Sequence, residues 1–173
     1  MRRLGAGLLI AGLAAAAWLW PARPVLVVRQ GAVPVLALPL LPGETVGVRF
    51  VHSVDHLPVE DRYVASRGRG LVQVETRLLS FGTGMGTIPG QGRAVVDGPW
   101  LRVTDMSRAI GRLVLRVGSP GVDHAVLYRG CAFSLTERWA GERLVLEAVW
   151  VGPWLHELLD LGGRLIWAIH CRR

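Results

Sequence analysis

Leu71-Val72-Gln73-Val74-Glu75-Thr76-Arg77-Leu78 alternates apolar and polar side chains at period two, the spacing of a half-buried β-strand. It predicts a strand with Gln73, Glu75 and Arg77 on one face. The same alternation recurs upstream, where Val46, Val48 and Phe50 share an apolar face with Arg49 opposite. Further β-type runs cover 25–29, 33–38, 45–52, 59–65, 100–104, 113–117, 122–128, 131–135 and 143–149, each bounded by Gly, Pro or Asp. Arg129-Gly130 marks a tight hairpin turn inside the 122–135 stretch. About ten short strands at this spacing predict an all-β fold, a sandwich or partly closed barrel. No repeat of solenoid length appears, and no helix alternates with the strands, which excludes a nucleotide-binding α/β architecture.

The two ends depart from this pattern. Arg2 and Arg3 precede an uncharged run from Leu4 to Trp20 that Pro21 terminates. Its length is near the minimum for a helix crossing a bilayer. The preceding charge predicts a cytoplasmic N-terminus and an extracytoplasmic main domain at the inner (cytoplasmic) membrane. Ala15-Ala16-Ala17 keeps open the alternative of a cleaved signal peptide and a secreted domain. Expected units are therefore a signal anchor at 1–23, a β-domain at 24–150 and an amphipathic helix with tail at 151–173. In that last stretch helical spacing gathers Trp154, Leu155, Leu158, Leu159, Leu161, Leu165, Ile166 and Ile169 on an arc of roughly 160°. His156, Glu157, Asp160 and Arg164 fall opposite, and four polar residues exclude a second crossing. The helix is expected to cap the sheet, or to lie in the membrane surface with Trp167, Arg172 and Arg173.

Composition narrows the partners. The chain has 173 residues, 51% of them hydrophobic, and a net charge of +7. Every one of its 20 basic residues is arginine. The arginines are scattered and form no basic run with interleaved aromatics, so no nucleic-acid partner is expected. Two cysteines, Cys131 and Cys171, lack metal-type spacing; their pairing is left open.

Three polar segments are candidate sites. The densest is His52-Ser53-Val54-Asp55-His56-Leu57-Pro58-Val59-Glu60-Asp61, a turn between two strands. A Ser–His–Asp triad is a poor reading of it, because neighbours on a strand point to opposite faces and Ser53 lacks a nucleophile-elbow context. His52, His56 and Glu60 are the candidate metal ligands, which would make zinc the cofactor of an extracytoplasmic metal-dependent hydrolase. The alternative, a polar turn pairing its acids with Arg49 or Arg62, needs no cofactor. Ser80–Gly92 carries glycines at 82, 84, 86, 90 and 92, and reads as a flexible loop or a binding loop offering backbone N–H groups through Gly82 and Gly84. It lacks the lysine and following helix of a phosphate loop. Asp105-Met106-Ser107-Arg108 is a third polar turn, with Arg108 a possible carboxylate clamp.

Together His52-Ser53-Val54-Asp55-x-x-Pro58-Val59-Glu60-Asp61, Glu75-Thr76, Ser80-Phe81-Gly82-Thr83-Gly84 and Asp105-Met106-Ser107-Arg108-x-Ile110-Gly111-Arg112-Leu113 resemble the bacterial domain-of-unknown-function family 1850. Val25–Arg29 also fits, so the likeness spans residues 24 to about 150. Asp55 and Asp61 stand where that family often has glutamate, and Thr83 replaces a small alanine. The resemblance implies export and an accessory role beside tripartite solute transporters of the TAXI type. It implies no catalytic residue. The expectation is a non-enzymatic, membrane-anchored binding module whose partner is a transporter membrane subunit or its solute-binding protein. His52, Ser53, Asp55, Glu60, Gly82, Gly84 and Arg108 are the expected contact residues.

Overall fold

The computed structural model describes residues 12, 16, 20–79 and 92–170, with side chains to 162 in the last helix. Eleven strands are present among them: β1 Arg23–Gln30, β2 Val33–Pro39, β3 Thr45–Val51, β4 Pro58–Ser66, β5 Gly70–Leu78, β6 Arg93–Asp97, β7 Trp100–Thr104, β8 Arg108–Arg116, β9 Ala125–Tyr128, β10 Cys131–Ser134 and β11 Arg143–Val151. A short α1 covers Thr136–Trp139 and α2 covers Pro153–His170. Nine strands run in the order β10-β9-β3-β4-β5-β8-β11-β1-β2, all antiparallel, and the β6–β7 hairpin hangs from β5. The all-β expectation holds, in the form of one curled sheet that makes a half-barrel. Two pieces were not legible as strands. β6 carries only a short apolar centre, and the first half of β8 is the polar Arg108–Arg112.

The curl has one corner, and two glycines make it. The first part of β8 pairs with β5 and the second part with β11, so β8 belongs to both walls. The change occurs at Gly111 (φ +70°), which meets both Gly70 (φ +67°) and Leu71 of β5. A Cβ on Gly70 would sit 2.3 Å from the Gly111 carbonyl oxygen, so the two backbones can touch only because Gly70 has no side chain. Curling then brings Leu26, Val28, Leu38 and Leu146 of one wall against Val46, Val48, Tyr63 and Val126 of the other. Each such burial contributes roughly 1.5–3 kcal/mol.

A bulge corrects the expected faces of β5. Arg62 pairs with Glu75 and Tyr63 with Gln73, leaving Val74 without an opposite residue. The extra residue reverses the alternation. Gln73 turns inward and is buried, while Glu75 and Arg77 stay outside. The Val74 carbonyl, freed from the ladder, accepts the Met106 N–H at 3.2 Å and so fixes the turn before β8.

Register defines two ends. At the proximal end Ala22 donates to the Val151 carbonyl, and Arg67 in the β4–β5 turn donates to the Pro21 carbonyl and stacks on Trp150. Thus the N-terminal run joins the fold beside the start of α2. Of Leu4–Trp20 only Gly12, Ala16 and Trp20 are described, so the expected anchor lies mostly outside the described residues. Among these, no helix is long and apolar enough to cross a membrane. The β3–β4 turn, residues 52–57, occupies the distal end.

The α2 helix caps the sheet, but its polar side is not its free side. His156 is buried, with Nε2 3.0 Å from the Leu40 carbonyl at the end of β2. Asp160 accepts from Arg129 at 2.7 Å, and Arg129 also donates to Glu44 at 2.7 Å. One helical turn thus straps the β2 edge to the β9–β10 turn. That turn lies at Arg129 (φ +47°) and Gly130 (φ +78°), as the sequence predicts. Cys131, which follows it, is disulfide-bonded; the other cysteine of the chain, Cys171, is outside the described residues.

The corner is open to test by chemical denaturation. Gly111→Ala, with free space around its Cβ, should cost about 1 kcal/mol for its left-handed backbone. Gly70→Ala adds a backbone collision and should cost roughly 3 kcal/mol or more. Equal costs would show that contact at the corner is not what limits it.

Candidate functional site

The inward faces of β4 and β5 meet in a buried polar cluster centred on Asp61. Thr76 Oγ1 donates to Asp61 Oδ1 at 2.7 Å, and Gln73 Nε2 donates to the same oxygen at 2.9 Å and to Thr76 Oγ1 at 2.8 Å. The Tyr63 hydroxyl donates to Asp61 Oδ2 at 3.4 Å. Burial pushes the Asp61 carboxyl above its ordinary value, and the hydrogen bonds and the charge of Arg108 offset only part of this. Tyr63 is pushed up as well, by burial and then by the neighbouring carboxylate. Asp61 belongs to the Pro58–Asp61 motif and Thr76 to the Glu75–Thr76 motif. Arg108 supplies charge to both Asp61 and Tyr63, and Gly92 closes over Thr104 and Met106 with no room for a Cβ. Segments far apart in sequence thus converge on one carboxylate.

A family model described as Domain of unknown function (DUF1850) matches residues 46–135. The chain belongs to this family. No curated protein and no solved structure matches it. The DUF1850 match runs from β3 to the residue after β10, so the Asp61 cluster lies wholly inside it. The strands β1, β2 and β11 and the α2 strap lie outside.

The outer face of the DUF1850 sheet carries a charge lattice. Glu75 accepts from Arg77 and, at 2.9 Å, from Arg102; Arg102 also reaches Asp97 at 3.0 Å. Burial alone would raise the Glu75 carboxyl, but the hydrogen bonds and charges of Arg102 and Arg77 outweigh it and hold it below the usual carboxylate range. Glu60 lies 3.7 Å from Arg62 on this face, on the opposite side of β4 from Asp61. Expected contact residues are therefore divided between faces.

His52, Ser53, Asp55 and His56 stand together at the distal turn. The His52 Nδ1 is 3.3 Å from Asp55 Oδ2, and His56 adopts φ +54°, unusual for a residue with a side chain. Among the described residues no three His, Cys, Asp or Glu are grouped so as to hold a metal ion, and His52, His56 and Glu60 form no such group. His124, a further buried imidazole, is spent on structure. Its Nδ1 accepts from the Gly118 N–H at 2.9 Å, its ring stacks on Phe50, and burial lowers its affinity for a proton. Gly82 and Gly84 lie outside the described residues. Arg108 opens β8 with its side chain exposed.

A second feature was not anticipated. The sheet edges, β2 and β10, do not pair with each other. Between them runs an apolar groove of about 490 Å³ walled by Pro34–Ala37, Phe133–Leu135, Trp139 and the α2 residues Leu158 and Leu159. Its volume falls within the range of small-ligand and side-chain pockets. Pro34 and Pro39 in β2, and the four-residue length of β10, blunt both edges against strand addition. Neither edge is therefore well suited to accept a further strand. Periodicity marks β2 only as a strand; nothing in it shows that the strand is an edge facing β10.

The Asp61 arrangement has a defined pH signature. Its folded-state pKa is raised above the unfolded value near 3.8, so the folded state holds the proton more tightly. Stability from this group is present at low pH and is lost as pH rises through the folded pKa. Asp61→Asn removes that dependence. Denaturation midpoints measured across this window should show the variant gaining on wild type with rising pH, and parallel profiles would refute a raised pKa.

Proposed function

We propose that the protein is a non-enzymatic binding module, held at the outer face of the cytoplasmic membrane by its N-terminal run, that engages a transporter membrane subunit or its solute-binding protein. The groove between the two free sheet edges is the observation that carries this reading. It is preformed, lined mainly by apolar side chains with Glu137 and Arg138 among them, and open among the described residues. Two carboxylates of the motifs, by contrast, are engaged by their neighbours, Asp61 by Thr76, Gln73 and Tyr63, and Glu75 by arginines. Such pairing suits a scaffold better than an acid–base centre. The occupant is an apolar segment of the partner, contacting Trp139, Leu159 and the β2 wall through side chains.

A disulfide at Cys131 suits an oxidising compartment outside the cytoplasm. The distal turn, with His52, Ser53 and Asp55 facing away from the tether, provides a second contact for the same partner. An extracytoplasmic metal-dependent hydrolase is the weaker reading, because no three-ligand group is present among the described residues.

The test is photo-crosslinking in native membranes, using the full chain with a photoreactive phenylalanine analogue at Trp139 or at Asp55. An adduct with a transporter component from position 139 is the expected result. An adduct from position 55 alone would move the contact to the distal turn. No adduct from either position, with the chain present in the membrane, would overturn the reading.

A further inference from the structure

We infer that the proximal end of the domain, with the outer side of α2, rests on an anionic bilayer surface. The first observation is an inverted helix. Trp154, Leu158 and Leu161 stand at the i, i+4, i+7 spacing of one helical face, of which Leu158 also lines the edge of the groove. They are 46%, 59% and 63% exposed, whereas the helix's polar His156 is buried and its Asp160 is turned to Arg129. Packing has therefore spent His156 and Asp160 on the sheet and left these three apolar side chains in water, with Glu157 exposed among them. That arrangement is costly for a helix facing only solvent.

The second observation says what covers the stripe. Ala22 is hydrogen-bonded to Val151, two residues before α2 begins, so the uncharged 17-residue run Leu4–Trp20 reaches the domain at the base of the helix. His156 and Asp160 are anchored at the level of Leu40 and Arg129, which carries the first turns of α2 across the proximal end rather than away from it. Trp20 and Leu41, 67% and 52% exposed, lie at this same end. Leu41 and Leu161 flank one depression with Arg23 and Arg129, whose guanidinium groups share it with Glu157 and Asp160.

The third observation is charge. Arg23, Arg67 and Arg69 are exposed at the proximal end, and no acidic side chain pairs with them among the described residues. Apolar side chains flanked by guanidinium groups match the boundary between acyl chains and anionic headgroups. The lipid contact fixes the domain's orientation, turning His52 and the distal turn outward. The inference rests on the N-terminal run being a membrane tether, as proposed above.

The test uses the full chain reconstituted in phosphatidylcholine vesicles containing phosphatidylglycerol. A polarity-sensitive fluorophore is attached at Leu161→Cys or, as a distal control, at Val96→Cys, which is 77% exposed. Flotation after an alkaline carbonate wash reads the tether separately. The expected result is carbonate-resistant flotation, with the label at 161 blue-shifted and quenched by brominated acyl chains at least about twofold more than the label at 96. Flotation with both labels equally aqueous overturns the surface contact and leaves the tether standing. Loss of the chain from the vesicles on washing overturns the tether, and the surface contact with it.

Discussion

Contact between the backbones of Gly70 and Gly111 is the constraint on which the rest of the structure depends. A sheet of nine sequential neighbours buries nothing until it bends, and here β8 bends it by belonging to both walls. Only then do Leu26 and Val28 face Val48 and Val126 across a common core. The corner also determines where the sheet stops. Because the curl closes only halfway, β2 and β10 remain apart, and the space between them becomes the groove. α2, through His156 and Asp160, holds that seam at its proximal end.

The bulge at Val74 has a comparable reach. One extra residue turns Gln73 inward to complete the Asp61 cluster and frees a carbonyl that positions the Met106 turn. A carboxylate buried beside a bulge would be a liability if left unpaired; three donors make it a lock on strand register instead. This accounts for why a cluster with a raised carboxyl pKa is better read as structural. Its hydrogen-bonding partners lie within the cluster.

The strands give the domain two unlike ends. Arg23, Arg67, Arg69, Trp20 and the exposed Trp154 and Leu161 collect at one end, and a polar turn with left-handed His56 at the other. The proposed tether at one end would leave the seam facing sideways. DUF1850 membership covers the wall that carries the Asp61 lock, while the groove takes one of its two sides from strands and helix beyond the matched residues.

Most strands were legible from sequence because alternation such as Val46, Val48, Phe50 is a local property: side chains on a strand must point to opposite faces whatever surrounds them. Turn chemistry at Arg129-Gly130 and the amphipathic 154–162 stretch were legible for the same reason. Whatever depended on pairing was not. Period two assigned Gln73 to the face of Glu75, and only the register with β4 shows the bulge that moves it. Helical spacing placed His156 and Asp160 together but could not say which side of the helix meets the sheet; a carbonyl at Leu40 and a guanidinium at Arg129 decided that. The convergence of Asp61 with Thr76 and Arg108, and the gap between β2 and β10, exist only once distant segments are hydrogen-bonded side by side. Sequence by itself therefore determined most strands, the Arg129-Gly130 turn and the amphipathic C-terminal helix, whereas tertiary structure decided the curl, the groove and the faces, since these arise from long-range backbone pairing that no local pattern encodes.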